Sequence, residues 1–307
     1  LIISWVSLLD VKALIAGRDG DPLIDLGSLA ADAAPTTTPP SQPERKADNN
    51  TTDAGSNDAL LSKPAYLIHD AIVGPAFRFF AQAQQVIRRI VCIDLHHRSR
   101  GTVSDEFEVL QIAHQVGADL ESLWNSRPRV LDVYDRPRDL CDTLRPTVAA
   151  EVCRTFRQYL ANFLAIFIYL HRVAFAIYPR TDRVHRAVDQ IIQLATVEST
   201  SQRGHQSSSS SSTSAKTTTH LPVSFIWPLF VAGLEGSLEQ RAWIVLEMQR
   251  MATNDPRDVG PGTPRHPNAN KALLLLEEMT RRQDTSRTWA DSRCVRRELF
   301  TDFFVMI

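Results

Sequence analysis

Only a few groups in this chain have the residue types that chemistry needs. Asp94, His96 and His97 bring metal-ligand side chains close together. Adjacent histidines on a helix point about 100° apart and do not share one ion, so they read as a surface or helix-end pair. His171 stands beside Arg172 in the most apolar part of the chain. It reads as a satisfied core histidine, with general acid–base work as the sharper alternative. Gly233-Leu-Glu-Gly236-Ser237 has no lysine after its glycines and cannot be a phosphate-cradling loop. Gly260-Pro-Gly262 has no strand before it and reads as a turn rather than a dinucleotide fingerprint. No Gly-x-Ser-x-Gly elbow occurs, so an α/β-hydrolase nucleophile is unsupported.

The cysteines are Cys92, Cys141, Cys153 and Cys294. None forms a Cys-x-x-Cys pair, and Cys141 to Cys153 is no zinc spacing. They read as free thiols of a reducing compartment. Glu277-Glu278 reads as a solvated helix edge. Arg281-Arg282 and Arg296-Arg297 read as helix C-terminal cations, which the helix dipole favours, before they read as nucleic-acid contacts. Nothing converges into an acid–base pair, a nucleophile with its base or a ligand cluster. The expectation is no catalytic residue, no metal ligand and no cofactor.

The bulk properties agree. Across 307 residues, 43% are hydrophobic and 22% charged, which is ordinary globular material with enough for a core. The formal net charge of −1 argues against a whole-chain grip on nucleic acid. The most apolar run, Phe163 to Leu170, is too short for the roughly 20 residues of a membrane span and reads as a core helix, so no membrane partner is expected. The chain begins with Leu1 and is expected to be a piece of a longer protein. Leu1 to Leu9 lacks the basic start and the cleavage site of a signal peptide.

These residues must be positioned by helices. Ile2 to Ile15 reads as a first helix closed by Gly17, Gly20 and Pro22. Residues 30–58, rich in Pro, Thr and Asn, bury too little to offset ordering entropy and read as a disordered insertion. Pro75 is expected to open a helix with a stripe at Ala76, Phe79, Phe80, Ala83, Ile87, Ile90 and Val91. Ser104 is expected to cap the next helix, whose inner face is Leu110, Ala113, Gly117, Leu120 and Trp124.

Pro146 opens a long helix predicted to reach Tyr178, apolar nearly all round and therefore central. A further helix starts near Thr181 or Asp182, with Val184, Val188, Ile191, Ile192 and Ala195 inward. Residues 199–220, with an unbroken serine run from Ser207 to Ser212, read as a mobile Ser/Thr-rich loop. Asn268 or Asn270 is expected to cap a helix with Ala272, Leu275, Leu276 and Met279 inward. Trp289 to Ile307 forms a last segment, apolar at Phe300, Phe303, Phe304 and Val305. No strand alternation persists. The expected architecture is all-α: a single large domain over residues 1–307, with about eight helices and two long disordered insertions.

One stretch organises the rest. From Leu221 to Met251 an aromatic run (Phe225, Ile226, Trp227, Pro228, Leu229, Phe230) meets Val231, Ala232 and Gly233, and a charged amphipathic helix follows. Pro228 lacks a backbone N–H and restricts Trp227 before it. The stretch therefore reads as a buried helix start and a tight packing corner. Ser237 with Gln240 forms a capping box for the next helix, which carries Leu238, Ile244, Val245, Met248, Met251 and Ala252 on one face.

The run LPVSFIWPLFVAGLEG, followed by Arg241 and Trp243, resembles the regulatory domain of fungal binuclear zinc-cluster transcription factors. The residues that match are Trp227, Pro228, Leu229, Phe230, Ala232, Gly233, Glu235 and Arg241. Trp5 with Leu8, Leu9 and Asp10 is similar to an early segment of such domains. Tyr169-Leu170-His171-Arg172 resembles a helix of such domains that ends in a Tyr-Leu-x-Arg pattern. Val184, Val188 and Ile191 to Leu194 resemble the helix just before their Trp-Pro element, and ANKALLLLEEMTRRQD with Trp289 resembles their closing helix and tryptophan. The resemblance implies a non-catalytic effector domain of a nuclear transcription factor, acting on protein partners of the transcription machinery or as a homodimer. The family's zinc cluster needs six closely spaced cysteines, which this chain lacks. DNA contact and zinc would then come only from a module upstream of Leu1, the alternative being that this protein has lost that module. The alternative expectation is a helical small-molecule sensor or an interaction protein without its own DNA binding; the sensor's cavity would lie between the long helix and the Trp227 corner, near Tyr169, His171 and Arg172.

Overall fold

A computed structural model describes residues 64–99, 103–206, 221–252 and 267–301. These comprise eight α-helices and no strand: α1 (Pro64–Ser99), α2 (Val103–Asn125), α3 (Pro146–Ala174), α4 (Asp182–Gln206), α5 (Ile226–Glu235), α6 (Leu238–Ala252), α7 (Pro267–Ser286) and α8 (Ser292–Leu299). Short 3-10 turns at Arg129–Val133, Pro137–Leu140 and Val223–Phe225 connect them. The helix expected over Ile2 to Ile15, the insertion at 30–58 and Phe303 to Val305 lie outside the described residues.

Helix α3 is the axis. Every residue from Leu160 to Arg172 is buried, as a helix apolar all round requires. Helices α1, α2, α4 and α5 pack against it. Its start matches expectation, with Pro146 in the first turn after Arg145 at ψ 144; the missing N–H is one that no helix start can pair. Its end comes sooner than Tyr178. The N–H of Phe175 donates to the His171 carbonyl at 2.8 Å, and a tight turn to Tyr178 follows. Ile177 is 87% exposed and Tyr178 48%, so the last apolar residues of the predicted helix find little core to cover.

Four other boundaries shift for physical reasons. Pro75 lies inside α1 instead of opening it. A proline there costs a hydrogen bond and a clash, about 3 kcal/mol. Burial of Ala76, Phe79, Ala83, Ile87, Ile90 and Val91 just beyond it offsets that cost. Helix α2 begins at Val103, one residue before Ser104. Helix α7 begins at Pro267, so Asn268 and Asn270 sit in its first turn, and Pro267 supplies the start. Helix α4 continues to Gln206, through the first part of the segment predicted as a loop; 207–220 lies outside the described residues. Glu198 is fully buried there and accepts hydrogen bonds from α3, which extends the α3–α4 contact past the apolar stripe.

The second half packs as α6 on α7, with α8 on α7. The capping box is made: Ser237 N–H donates to Gln240 Oε1 at 2.8 Å, and Gln240 N–H to Ser237 Oγ at 3.2 Å. Asp291 caps α8, accepting from Arg293 N–H at 2.8 Å. Ala272, Leu275, Leu276 and Met279 all point inward.

Candidate functional site

Helix α5 joins the two halves. It touches α3 and α4 on one side and α6 and α7 on the other. All residues from Ile226 to Leu234 are buried. Pro228 stands at the third helical position, where a missing N–H leaves no helical bond unmade. Trp227 is fully buried and meets Tyr169 edge-on, with ring centroids 6.3 Å apart. Asn162 of α3 donates to the Ser224 carbonyl at 3.0 Å, fixing the turn that feeds α5. Gly233 lets α5 approach α7: a Cβ there would lie 2.9 Å from Leu276 Cδ2.

The end of α5 is charged. Glu235 accepts from Arg172 of α3, and Arg180 donates to the Glu235 carbonyl. Arg172 also reaches Gln283 Oε1 at 3.3 Å and the Ala290 carbonyl at 3.2 Å. Its guanidinium carbon lies 5.8 Å from the Trp289 ring centroid. One buried arginine thus ties together the end of α3, the end of α5, the last turns of α7 and the segment before α8. Burial draws the Arg172 guanidinium below its ordinary pKa, and Glu235 opposes that shift. Arg241 of α6 pairs with Asp284 of α7 at 2.7 Å. Glu235, Arg172 and Arg241 are therefore engaged in helix-to-helix contacts.

The expected trio Tyr169, His171 and Arg172 does not share one cavity. Tyr169 and Arg172, three positions apart on one face, line a space of about 30 Å³ with Phe230 and Trp289. That is room for about one water, and it is the space between the long helix and the Trp227 corner where a sensor cavity was expected. His171 points to another side, into a half-open cleft of about 220 Å³ shared with α2 and α4. Burial holds the His171 pKa below the ordinary imidazole value; Glu235 raises it, and Arg172, Arg180 and His185 lower it further.

A second ionic node has no counterpart in the sequence reading. Glu198 of α4 accepts from Arg157 Nε at 2.6 Å and from Arg154 Nε at 2.9 Å, both on α3. Arg157 also donates to the Tyr134 carbonyl at 2.5 Å. Its only sequence signal is the recurrence of arginines along the first half of an otherwise apolar helix.

Other chemical candidates are placed within the described residues; Gly260-Pro-Gly262 lies outside them, and so do the side chains of His96 and His97. Glu277 is exposed, whereas Glu278 pairs with Arg281 and Arg282, each at 2.7 Å. Arg296 is buried rather than solvated at the end of α8. No disulfide joins the four cysteines; Cys153 is buried and the other three exposed. Burial pushes the Cys153 thiol up to about 11. Among the described residues no group of three or more His, Cys, Asp or Glu is placed to hold a metal ion. No described helix is long and apolar enough to cross a membrane.

A family model described as "Fungal specific transcription factor domain" matches residues 3–300. No curated protein and no solved structure matches.

Proposed function

The chain belongs to the fungal specific transcription factor domain family, and we propose that it is the non-catalytic effector half of a nuclear regulator, acting through contacts with protein partners. A role in transcription regulation comes with the family. The observation that carries the finer reading is the match over residues 3–300, which leaves the described helices to one domain type. The use of Glu235, Arg172 and Arg241 in helix packing supports it, because the most conspicuous polar residues are occupied in holding the fold. In this reading, DNA contact and any zinc belong to a module outside this sequence.

The test is a fusion of residues 1–307 to an unrelated DNA-binding domain, assayed on a reporter in a fungal cell. The expected result is a several-fold change in reporter output, up or down, relative to the DNA-binding domain alone. Glu235→Ala, which breaks the hub, should abolish that change. A folded, nuclear fusion that leaves the reporter at the baseline would sink the proposal.

A further inference from the structure

We propose that the cleft where α2, α3 and α4 meet is a binding site for a small monocarboxylate with a flat apolar body. Its purpose rests on the regulatory reading, but the site itself does not. The cleft holds about 220 Å³, below the roughly 300–1,000 Å³ of drug-sized sites, so its guest is small. Phe167 and Leu170 of α3, with Phe175 and Tyr178 from the turn after it, form apolar walls. The Phe175 ring lies 5.0 Å from that of His114 and 6.5 Å from that of His171, the latter nearly parallel at 24°. Walls built from ring faces and edges favour a planar guest.

Arg183, in the first turn of α4, supplies the charge. Its guanidinium carbon sits 3.9 Å from the Phe167 ring centroid and 5.1 Å from that of Trp124. Its Nε is 3.1 Å from Glu121 Oε1, and its side chain is 17% exposed. Its Nη2 is buried without a hydrogen-bond partner among the described residues. A guanidinium has five N–H donors in a planar fork, and a buried donor left unmatched is costly. A carboxylate is the acceptor that such a fork matches best. Burial draws Arg183 below its ordinary pKa, Glu121 raises it, and Arg186 and Arg127 lower it; an anion would add to the effect of Glu121.

The charge balance selects among guests. A cation suits aromatic walls but would face Arg183, which already occupies the Phe167 face. Glu121 already stands against Arg183, with Arg186 and Arg127 beside it; with Asp132 on Arg127, this group is left with one positive charge. A monoanion matches that balance, and a dianion exceeds it. His171 adds a polar contact: held below its ordinary pKa, it presents a neutral ring with one donor and one acceptor.

The experiment titrates the full chain with phenylacetate and with its neutral amide, phenylacetamide, by calorimetry or ligand-observed NMR. The expected result is at least tenfold tighter binding of phenylacetate. Arg183→Met should weaken phenylacetate to the level of the amide and leave the amide unchanged. Tyr178, half exposed, gives a second variant that does not depend on the core: Tyr178→Ala should weaken both probes. Equal binding of acid and amide, no binding of either, or undiminished binding by Arg183→Met would each overturn the site. Tight binding with a reporter that ignores phenylacetate would overturn ligand control of transcription and leave the site standing.

Discussion

Replacing Gly233 by alanine would place a Cβ 2.9 and 3.1 Å from the two terminal methyls of Leu276 and 3.3 Å from Ile244 Cγ2. Leu276 and Ile244 are fully buried, so neither can swing into solvent. Overpacking of this kind costs roughly 1–3 kcal/mol. Against it, alanine outranks glycine in a helix interior by about 1 kcal/mol. The expected net is a loss of about 0–2 kcal/mol for Gly233→Ala, and about 3 kcal/mol or more for Gly233→Val, whose added methyls have nowhere to go. Urea unfolding followed by far-UV circular dichroism measures both. A double variant separates the clash from any general weakening. Leu276→Ala alone should cost about 2–5 kcal/mol, yet combined with Gly233→Ala the pair should cost at least about 1 kcal/mol less than the sum. If Gly233→Ala instead gains the full helix-propensity increment, α5 and α7 do not approach as closely as described.

Glu235→Ala leaves Arg172 buried without its carboxylate and should cost about 3–5 kcal/mol; Glu235→Gln, which keeps an acceptor, should cost clearly less, and equal losses in urea titrations would contradict the pairing. Among the thiols, Cys92, Cys141 and Cys294 should react quickly with a disulfide reagent at mildly alkaline pH. Cys153, raised to about 11 and buried, should react only on unfolding; a fourth fast thiol in the native protein would refute its placement. His171 has its folded pKa below the ordinary 6.5, so above 6.5 it contributes no pH dependence. As the pH falls through 6.5 the unfolded chain takes up a proton that the folded chain resists, and stability drops. His171→Gln should flatten that slope in unfolding experiments between pH 7.5 and 5.5, and an unchanged slope would show the ring to be freely solvated.

The apolar skeleton was legible in the sequence because burial leaves a periodic trace. The α1 stripe, the all-round apolar α3 and the inward face of α7 could be read from spacing alone. So could the Trp227 corner, since Trp-Pro in an apolar run admits few conformations, and the capping box, which is local. Less legible were features set by partners distant in sequence. Glu198 drew no reading from the sequence, and only its pairing with Arg154 and Arg157 of α3 shows why a carboxylate is buried there, just before the segment expected to be a loop. Asn162 and Gln283 carried no signal, because their role is to meet backbone carbonyls of other helices. Tyr169, His171 and Arg172 were grouped by adjacency, but the helical turn sends His171 to a different cleft. Arg183 was passed over for the same reason: a first-turn arginine looks solvated until the Phe167 and Trp124 rings arrive from α3 and α2.

The continuous burial of α3 from Leu160 to Arg172 has a consequence for how the chain is made. Two of the helices that cover it, α4 and α5, follow it in the sequence. At about 5–20 residues per second of synthesis, the segment through Glu235 emerges seconds after α3 does. During that interval α3 has α1 and α2 beside it and bare apolar flanks where Trp227 and the α4 stripe will later sit. A nascent chain in that state is a natural client for chaperones that hold exposed apolar helices, and slowing translation between Ala174 and Leu221 should lower the soluble yield more than slowing it after Glu235.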